Sequence, residues 1–242
     1  MEAIKTEGLT KRYRDVVAVD RLSLTVGEGE IFALLGLNGA GKSTTVKMLS
    51  CLTAPTEGDA YLLGKSIRTE PGEVKALIGV SPQETAIAPG LSVRENLDLM
   101  CGVHGIPRDQ RSARIAELSA LLGLDGVLSR RAGKLSGGWQ RRLSIAMALV
   151  SRPRILFLDE PTLGLDVLAR SELWDIIRAL RGRATVILTT HYMEEAEALS
   201  DRIAIMKDGR PIVTDTAEAL KKMTGCDRFE DAFVKIVKGV EQ

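Results

Sequence analysis

Residues 31–44 read Ile31-Phe32-Ala33-Leu34-Leu35-Gly36-Leu37-Asn38-Gly39-Ala40-Gly41-Lys42-Ser43-Thr44, an apolar run that opens into a glycine-rich stretch, a lysine and two hydroxyls. A short apolar run bounded by glycine fits a strand buried on both faces. The spacing G-x-x-x-x-G-K-[ST], after such a strand and before a helix, is that of a phosphate-cradling loop. Its glycines let the backbone wrap an anion with N–H groups pointing inward, and the helix that follows adds its positive end. Lys42 supplies a point charge for the β- and γ-phosphates, and Ser43 a hydroxyl for Mg²⁺. The expectation is a nucleoside triphosphate at this loop. The motif alone does not say to what use.

Working outward, three more short β-rich runs end in polar residues. Residues 77–81 run into Pro82-Gln83, residues 154–158 into Asp159-Glu160, and residues 185–190 into His191. Helical patterns lie between them, which implies βα units and a largely parallel sheet. Ligands of such sheets sit outside the carboxyl ends of the strands, so the four endings should converge on one edge. The fold class expected is α/β: a P-loop core with a mostly parallel sheet, an N-terminal antiparallel β portion near residues 3–7 and 22–26, and an inserted all-helical subdomain.

That insertion is expected over residues 85–150. Ser92 and Glu95 have capping-box spacing ahead of Val93, Leu97 and Met100. Ile115, Leu118 and Leu122 share a second helical face that Gly123 should stop. Pro89-Gly90 and Gly105-Ile106-Pro107 break the segment. The core resumes with a stripe of Ala169, Leu173, Ile176, Ile177 and Leu180, then a hairpin turning at Asp208-Gly209. A final helix carries Phe229, Phe233, Ile236, Val237 and Val240, with Asp227 and Glu230 as a capping pair. The expected division is 1–84 for the first part of the core, 85–150 for the helical subdomain, 151–220 for the second part of the core, and 221–242 for a helical tail.

Lys+Arg is 33 against 32 for Asp+Glu, a net charge of +1, which gives no electrostatic case for nucleic acid as the main partner. The short basic runs Lys11-Arg12, Arg130-Arg131, Arg141-Arg142 and Lys221-Lys222 read as solvated faces. Cys51, Cys101 and Cys226 lack metal-ligand spacing and read as free thiols. The opening MEAIKTEGLTKRY is charged throughout, unlike a signal peptide. No apolar run approaches the ~20 residues that span a bilayer.

Two further stretches carry chemistry. Asp159 and Glu160 end a buried strand, where charge is costly unless it meets a cation. Asp159 suits the shell of Mg²⁺, and Glu160 the polarisation of an attacking water. Leu135-Ser136-Gly137-Gly138-Trp139-Gln140-Arg141-Arg142 precedes a helix with Leu143, Met147 and Val150 on one face. A serine cap with two glycines makes a second anion-binding helix start. One nucleotide does not need two.

With LSGGW between GLNGAGKST and ILFLDE, the chain resembles an ATP-binding-cassette (ABC) ATPase along nearly its whole length. The resemblance implies two subunits that sandwich two ATP molecules head to tail. Gly36, Asn38, Gly39, Ala40, Gly41, Lys42, Ser43 and Thr44 of one subunit would hold an ATP. Ser136, Gly137 and Gly138 of the other would contact its γ-phosphate. Tyr13 matches an aromatic that stacks on adenine, Gln83 a glutamine that meets Mg²⁺ and links to the helical part, and His191 a histidine that touches the γ-phosphate. Ser43, Gln83 and Asp159 would then serve Mg²⁺, with Glu160 and His191 catalytic. Asp166 matches an acid that crosses the dimer interface, although it also suits a helix cap. Trp139 departs from the glutamine common at the fifth signature position, which puts details of the dimer interface in question. The residues after the signature and after His191 look most like the efflux branch, whose permease is a separate polypeptide. The implied setting is the cytoplasmic face of a membrane, as a peripheral subunit and a homodimer. The alternative is a soluble relative acting on DNA or ribosomes; such relatives usually carry two cassettes or a long coiled coil, and neither is seen here.

Overall fold

The computed structural model describes residues 1–239. The chain begins with strands β1 (Glu2–Tyr13), β2 (Val16–Leu22), β3 (Thr25–Gly27) and β4 (Ile31–Gly36), then helix α1 (Lys42–Leu49). Next come β5 (Glu57–Leu62), β6 (Lys65–Ser66), α2 (Pro71–Leu77) and β7 (Ile78–Ser81). From β7 to the next strand the regular elements are all helical: α3 (Val93–Val103), α4 (Arg108–Leu122), two 3₁₀ turns and α5 (Gly137–Leu149). The chain continues through β8 (Ile155–Asp159), α6 (Val167–Arg178), β9 (Thr185–Thr190), α7 (Met193–Leu199), β10 (Arg202–Lys207) and β11 (Arg210–Asp215). Helices α8 (Ala217–Thr224) and α9 (Phe229–Gly239) close the described chain.

Strand β4 is buried at every position because it runs inside a sheet ordered β11-β10-β4-β9-β8-β7. All neighbours in that sheet pair in parallel except β11, which returns antiparallel from β10. The return is a two-residue turn with Asp208 and Gly209 both at positive φ (50° and 77°), the conformation that matches strand twist. A second, antiparallel sheet is built from β2, β1, β5 and β6, with β3 also on β1. Alternate faces of β4 feed two apolar clusters. Ile31, Ala33 and Leu35 join the helical side with α5 and α6, while Phe32 and Leu34 join Met48, Leu62 and Ile155 towards the antiparallel sheet.

The capping box forms: Glu95 N–H donates to Ser92 Oγ at 3.2 Å, and Ser92 N–H to Glu95 Oε2 at 2.7 Å. Gly123 ends α4 at φ 66°. Three local expectations need correction. The strand expected near residues 22–26 is two strands, because β2 ends at Leu22 and β3 starts at Thr25, with Arg21 at φ 46° just before. The Asp227–Glu230 capping pair is replaced by an Arg228–Glu230 ion pair at 2.5 Å, since α9 starts at Phe229. Ser136 occupies the N-cap position of α5, but its side chain makes no cap bond. Phe229, Phe233 and Ile236 are buried as the stripe requires; Val240 lies outside the described residues. Among the described residues no helix is long and apolar enough to cross a membrane.

Candidate active site

The parallel strands end together on one side of the sheet, and a cleft of about 650 Å³ opens there. Asn38, Gly39, Ala40, Gly41, Lys42, Ser43 and Thr44 line it from the loop after β4 and the start of α1. Gln83 enters after β7, Glu160 after β8 and His191 after β9, and Val16, Val17 and Ala18 form the wall beside β2. Gly41 precedes α1 at φ 97°, and a Cβ there would stand 2.5 Å from Ala18 O. Only glycine lets the loop pass this close to β2.

Lys42 is buried, and its Nζ donates to Gly36 O at 2.8 Å and to Leu37 O at 3.3 Å. It also stands 3.5 Å from Glu160 Oε1. The other oxygen of Glu160 lies 2.9 Å from His191 Nδ1. Glu160 is itself buried and holds φ 48°, a left-handed backbone that an L-residue adopts only when its surroundings fix it. Those surroundings are Thr189. The Glu160 N–H donates to both Thr189 O (3.1 Å) and Thr189 Oγ1 (3.0 Å). Thr189 Oγ1 then donates to Asp159 Oδ1 at 2.5 Å, and Ser43 Oγ donates to the same oxygen at 3.0 Å.

Ser43, Asp159 and Gln83 offer hydroxyl, carboxylate and amide oxygens, hard donors that suit Mg²⁺. Among the described residues no group of three or more His, Cys, Asp or Glu could hold a metal. Asp159 is the one carboxylate of the three, and Mg²⁺ is commonly held by one or two carboxylates together with substrate phosphates.

Several expected residues lie outside the cleft. Tyr13 sits at the β1–β2 turn, 46% exposed, with Lys11 Nζ 5.1 Å from its ring centroid. Ser136 and Gly137 are exposed and Gly138 is half-buried at the start of α5. A Cβ on Gly138 would come within 3.1 Å of Ala169 Cβ, so its small size also serves α5–α6 packing. Trp139 is half-buried under the Arg142 guanidinium, 4.8 Å from the ring centroid. Asp166 Oδ1 accepts from Ala169 N–H at 2.9 Å, the helix-cap role, and the residue remains exposed.

Arg141 corrects the reading of Arg141-Arg142 as a solvated run. It is buried, its Nη1 donates to Pro82 O at 2.6 Å, and its Nη2 donates to Gln83 O. Burial pushes its pKa down, against the opposing pull of Asp159 and Glu195. A residue of α5 thus grips the main chain that carries Gln83. Thr189 was missed for a different reason: it alternates within an ordinary buried strand, and only tertiary pairing aims its hydroxyl at the two acids.

A model of the family described as "ABC transporter" matches residues 19–163. The chain belongs to the ABC transporter family. ABC relatives named for resistance and export match nearly all of it. It is 44% identical over 235 residues to a daunorubicin/doxorubicin resistance ATP-binding protein of Streptomyces peucetius, covering 95% of this chain and 71% of that one. It is 41% identical over 229 residues to a Nod factor export ATP-binding protein of Burkholderia orbicola, covering 94% and 75%. Among solved structures, an ATP-binding cassette in a dimeric post-hydrolysis state with ADP and Pi superposes at TM-score 0.79 and 28% identity, over 88% of this chain and 98% of that one. This ABC chain is an ATP-binding and ATP-hydrolysing subunit of a transporter.

Proposed function

We propose that this chain powers export through a separate membrane-spanning permease, as a head-to-tail pair of identical copies on the cytoplasmic face of the membrane. The observation that carries the reading is a division of the site. Lys42, Ser43, Gln83, Glu160 and His191 line one cleft, whereas Ser136 and Gly137 lie exposed outside it. A helix start with an uncapped serine and free N–H groups suits a phosphate held by another copy. The names of the two relatives support the direction of transport. The all-helical stretch from α3 to α5 supports boundaries near residues 85 and 150, whereas α8 (Ala217–Thr224) runs across the boundary expected at 220.

In this reading the loop from Gly36 to Thr44 cradles the phosphates with its N–H groups, and Lys42 places its charge on the β- and γ-phosphates. Tyr13, exposed beside the Val16–Ala18 wall, stacks on adenine. Ser43, Asp159 and Gln83 would hold Mg²⁺, which neutralises phosphate charge when bound. Glu160 takes a proton from the attacking water, and His191 orients the carboxylate and meets the γ-phosphate. Asp166, at the exposed head of α6, faces the second copy.

The test separates the two halves of the site. Ser136→Glu puts a negative charge where the partner's phosphate should arrive. It should leave binding of ATP to the single chain intact and abolish both ATP-dependent pairing and turnover. Hydrolysis at the wild-type rate by Ser136→Glu would contradict the sandwich.

A further inference from the structure

Glu195 is fully buried in the first turn of α7, and the steps above do not use it. Its Oε1 accepts from Thr162 Oγ1 at 2.7 Å and from Trp174 Nε1 at 3.2 Å. Its Oε2 has no hydrogen-bond partner among the described residues. Thr162 is 1% exposed and lies two residues beyond Glu160, in the loop that ends at the Asp166 cap. Trp174 belongs to α6, which that cap begins. Glu195 follows His191 by four residues. One carboxyl oxygen therefore ties the segment after Glu160, and the helix it leads into, to the helix that follows His191.

We propose that Glu195 is a positioning residue for hydrolysis: through Thr162 and Trp174 it keeps the 160–166 loop in register with the loop that carries His191. An apolar side chain would fill the same space without the cost of burying an acid. The contacts that Glu195 makes explain its presence better than packing does, because both donors come from the elements that flank the site. Burial pushes its pKa up, against the opposing pull of the Thr190, Thr162 and Trp174 side chains, and the charge of Glu160 adds to the rise. The Glu160–His191 distance of 2.9 Å is the geometry this clamp protects.

The inference rests on Glu160 and His191 being the hydrolytic pair. The experiment is steady-state Mg-ATP hydrolysis by the full chain, with kcat and KM separated. Thr162→Val keeps the shape and deletes the donor. It should lower kcat about tenfold with KM changed less than about twofold, since the phosphate loop is untouched. Thr162→Ser restores the hydroxyl and should recover kcat to within about threefold of wild type. Glu195→Gln keeps the Oε1 acceptor and should behave like Thr162→Ser, whereas Glu195→Leu should match Thr162→Val. The double variant Thr162→Val with Glu195→Leu should lose no more than either alone, as residues acting through one contact do. Wild-type kcat in Thr162→Val overturns the proposal, as does a loss confined to KM. If Glu195→Leu does not fold, Thr162→Val against Thr162→Ser decides alone. Glu160→Gln, measured alongside, keeps the two readings apart. If Glu160→Gln still turns over, the catalytic assignment falls. If it is inactive while Thr162→Val is wild type, only the role of Glu195 falls.

Discussion

His191 Nδ1 lies 2.9 Å from Glu160 Oε2, while Lys42 Nζ lies 3.5 Å from the other oxygen of the same carboxylate. An ionised carboxylate only accepts hydrogen bonds, so it holds His191 with the proton on Nδ1. One acid is thereby tied to the phosphate loop and to the end of β9 at once. His191→Ala should lower kcat by about 10²-fold with little change in KM, because it removes an orienting partner and leaves the phosphate cradle intact. Steady-state kinetics check this; an effect on KM alone would speak against it.

Thr189 bridges the two acids, so its hydroxyl should matter beyond its volume. In Thr189→Val, Asp159 loses one of its two hydroxyl donors and Glu160 N–H keeps only the carbonyl of residue 189. Turnover should fall about tenfold, and Thr189→Ser should recover most of it. A Thr189→Val enzyme equal to wild type would show that the strained backbone of Glu160 holds without the hydroxyl.

Arg141 satisfies two carbonyls of the segment leading to Gln83. Arg141→Leu leaves those acceptors without their partner and should destabilise the fold by about 2–4 kcal/mol, read from urea denaturation. Arg141→Lys, a point charge without a fork, should recover only part of this. A loss within about 0.5 kcal/mol, the size of an ordinary surface change, would return Arg141 to the solvated runs.

The strand-to-polar-ending pattern made the parallel sheet and its active edge legible, because each motif sits where an apolar run stops. Local chemistry was also readable: the Ser92–Glu95 box and the Gly123 stop depend on few residues and short spacings. What escaped depends on neighbours distant in sequence. Arg141 looks like half of a basic pair until α5 packs beside β7 and buries it. Ser136 reads as a side-chain cap, yet only its backbone takes that position. β5 and β6, with Gly58, Asp59 and Gly64 among their residues and turns, carry weak strand propensity; β5 exists by pairing with β1, and β6 by pairing with β5.

Glu195 makes stability depend on pH in a known direction. Its folded pKa is raised above the ordinary 4.5, chiefly by burial, so above that value the folded chain binds more protons than the unfolded one. Its contribution therefore falls as pH rises from the ordinary carboxylate pKa towards the folded one. Glu195→Gln should gain stability relative to wild type across that rise; Glu160 and Arg141, the charged groups that act on this site, are unchanged in the comparison. Thermal melts at several pH values check this, and a difference that shrinks with rising pH would contradict it.

The most direct measurement is made on Glu160→Gln. Its mass in solution and its phosphate release are followed with and without Mg-ATP. The substitution keeps the shape of the side chain and removes only the base. The account predicts wild-type ATP affinity, a shift from one copy to two on adding Mg-ATP, and no sustained phosphate release. A Glu160→Gln chain that stays single with ATP bound, or releases phosphate at the wild-type rate, would contradict it.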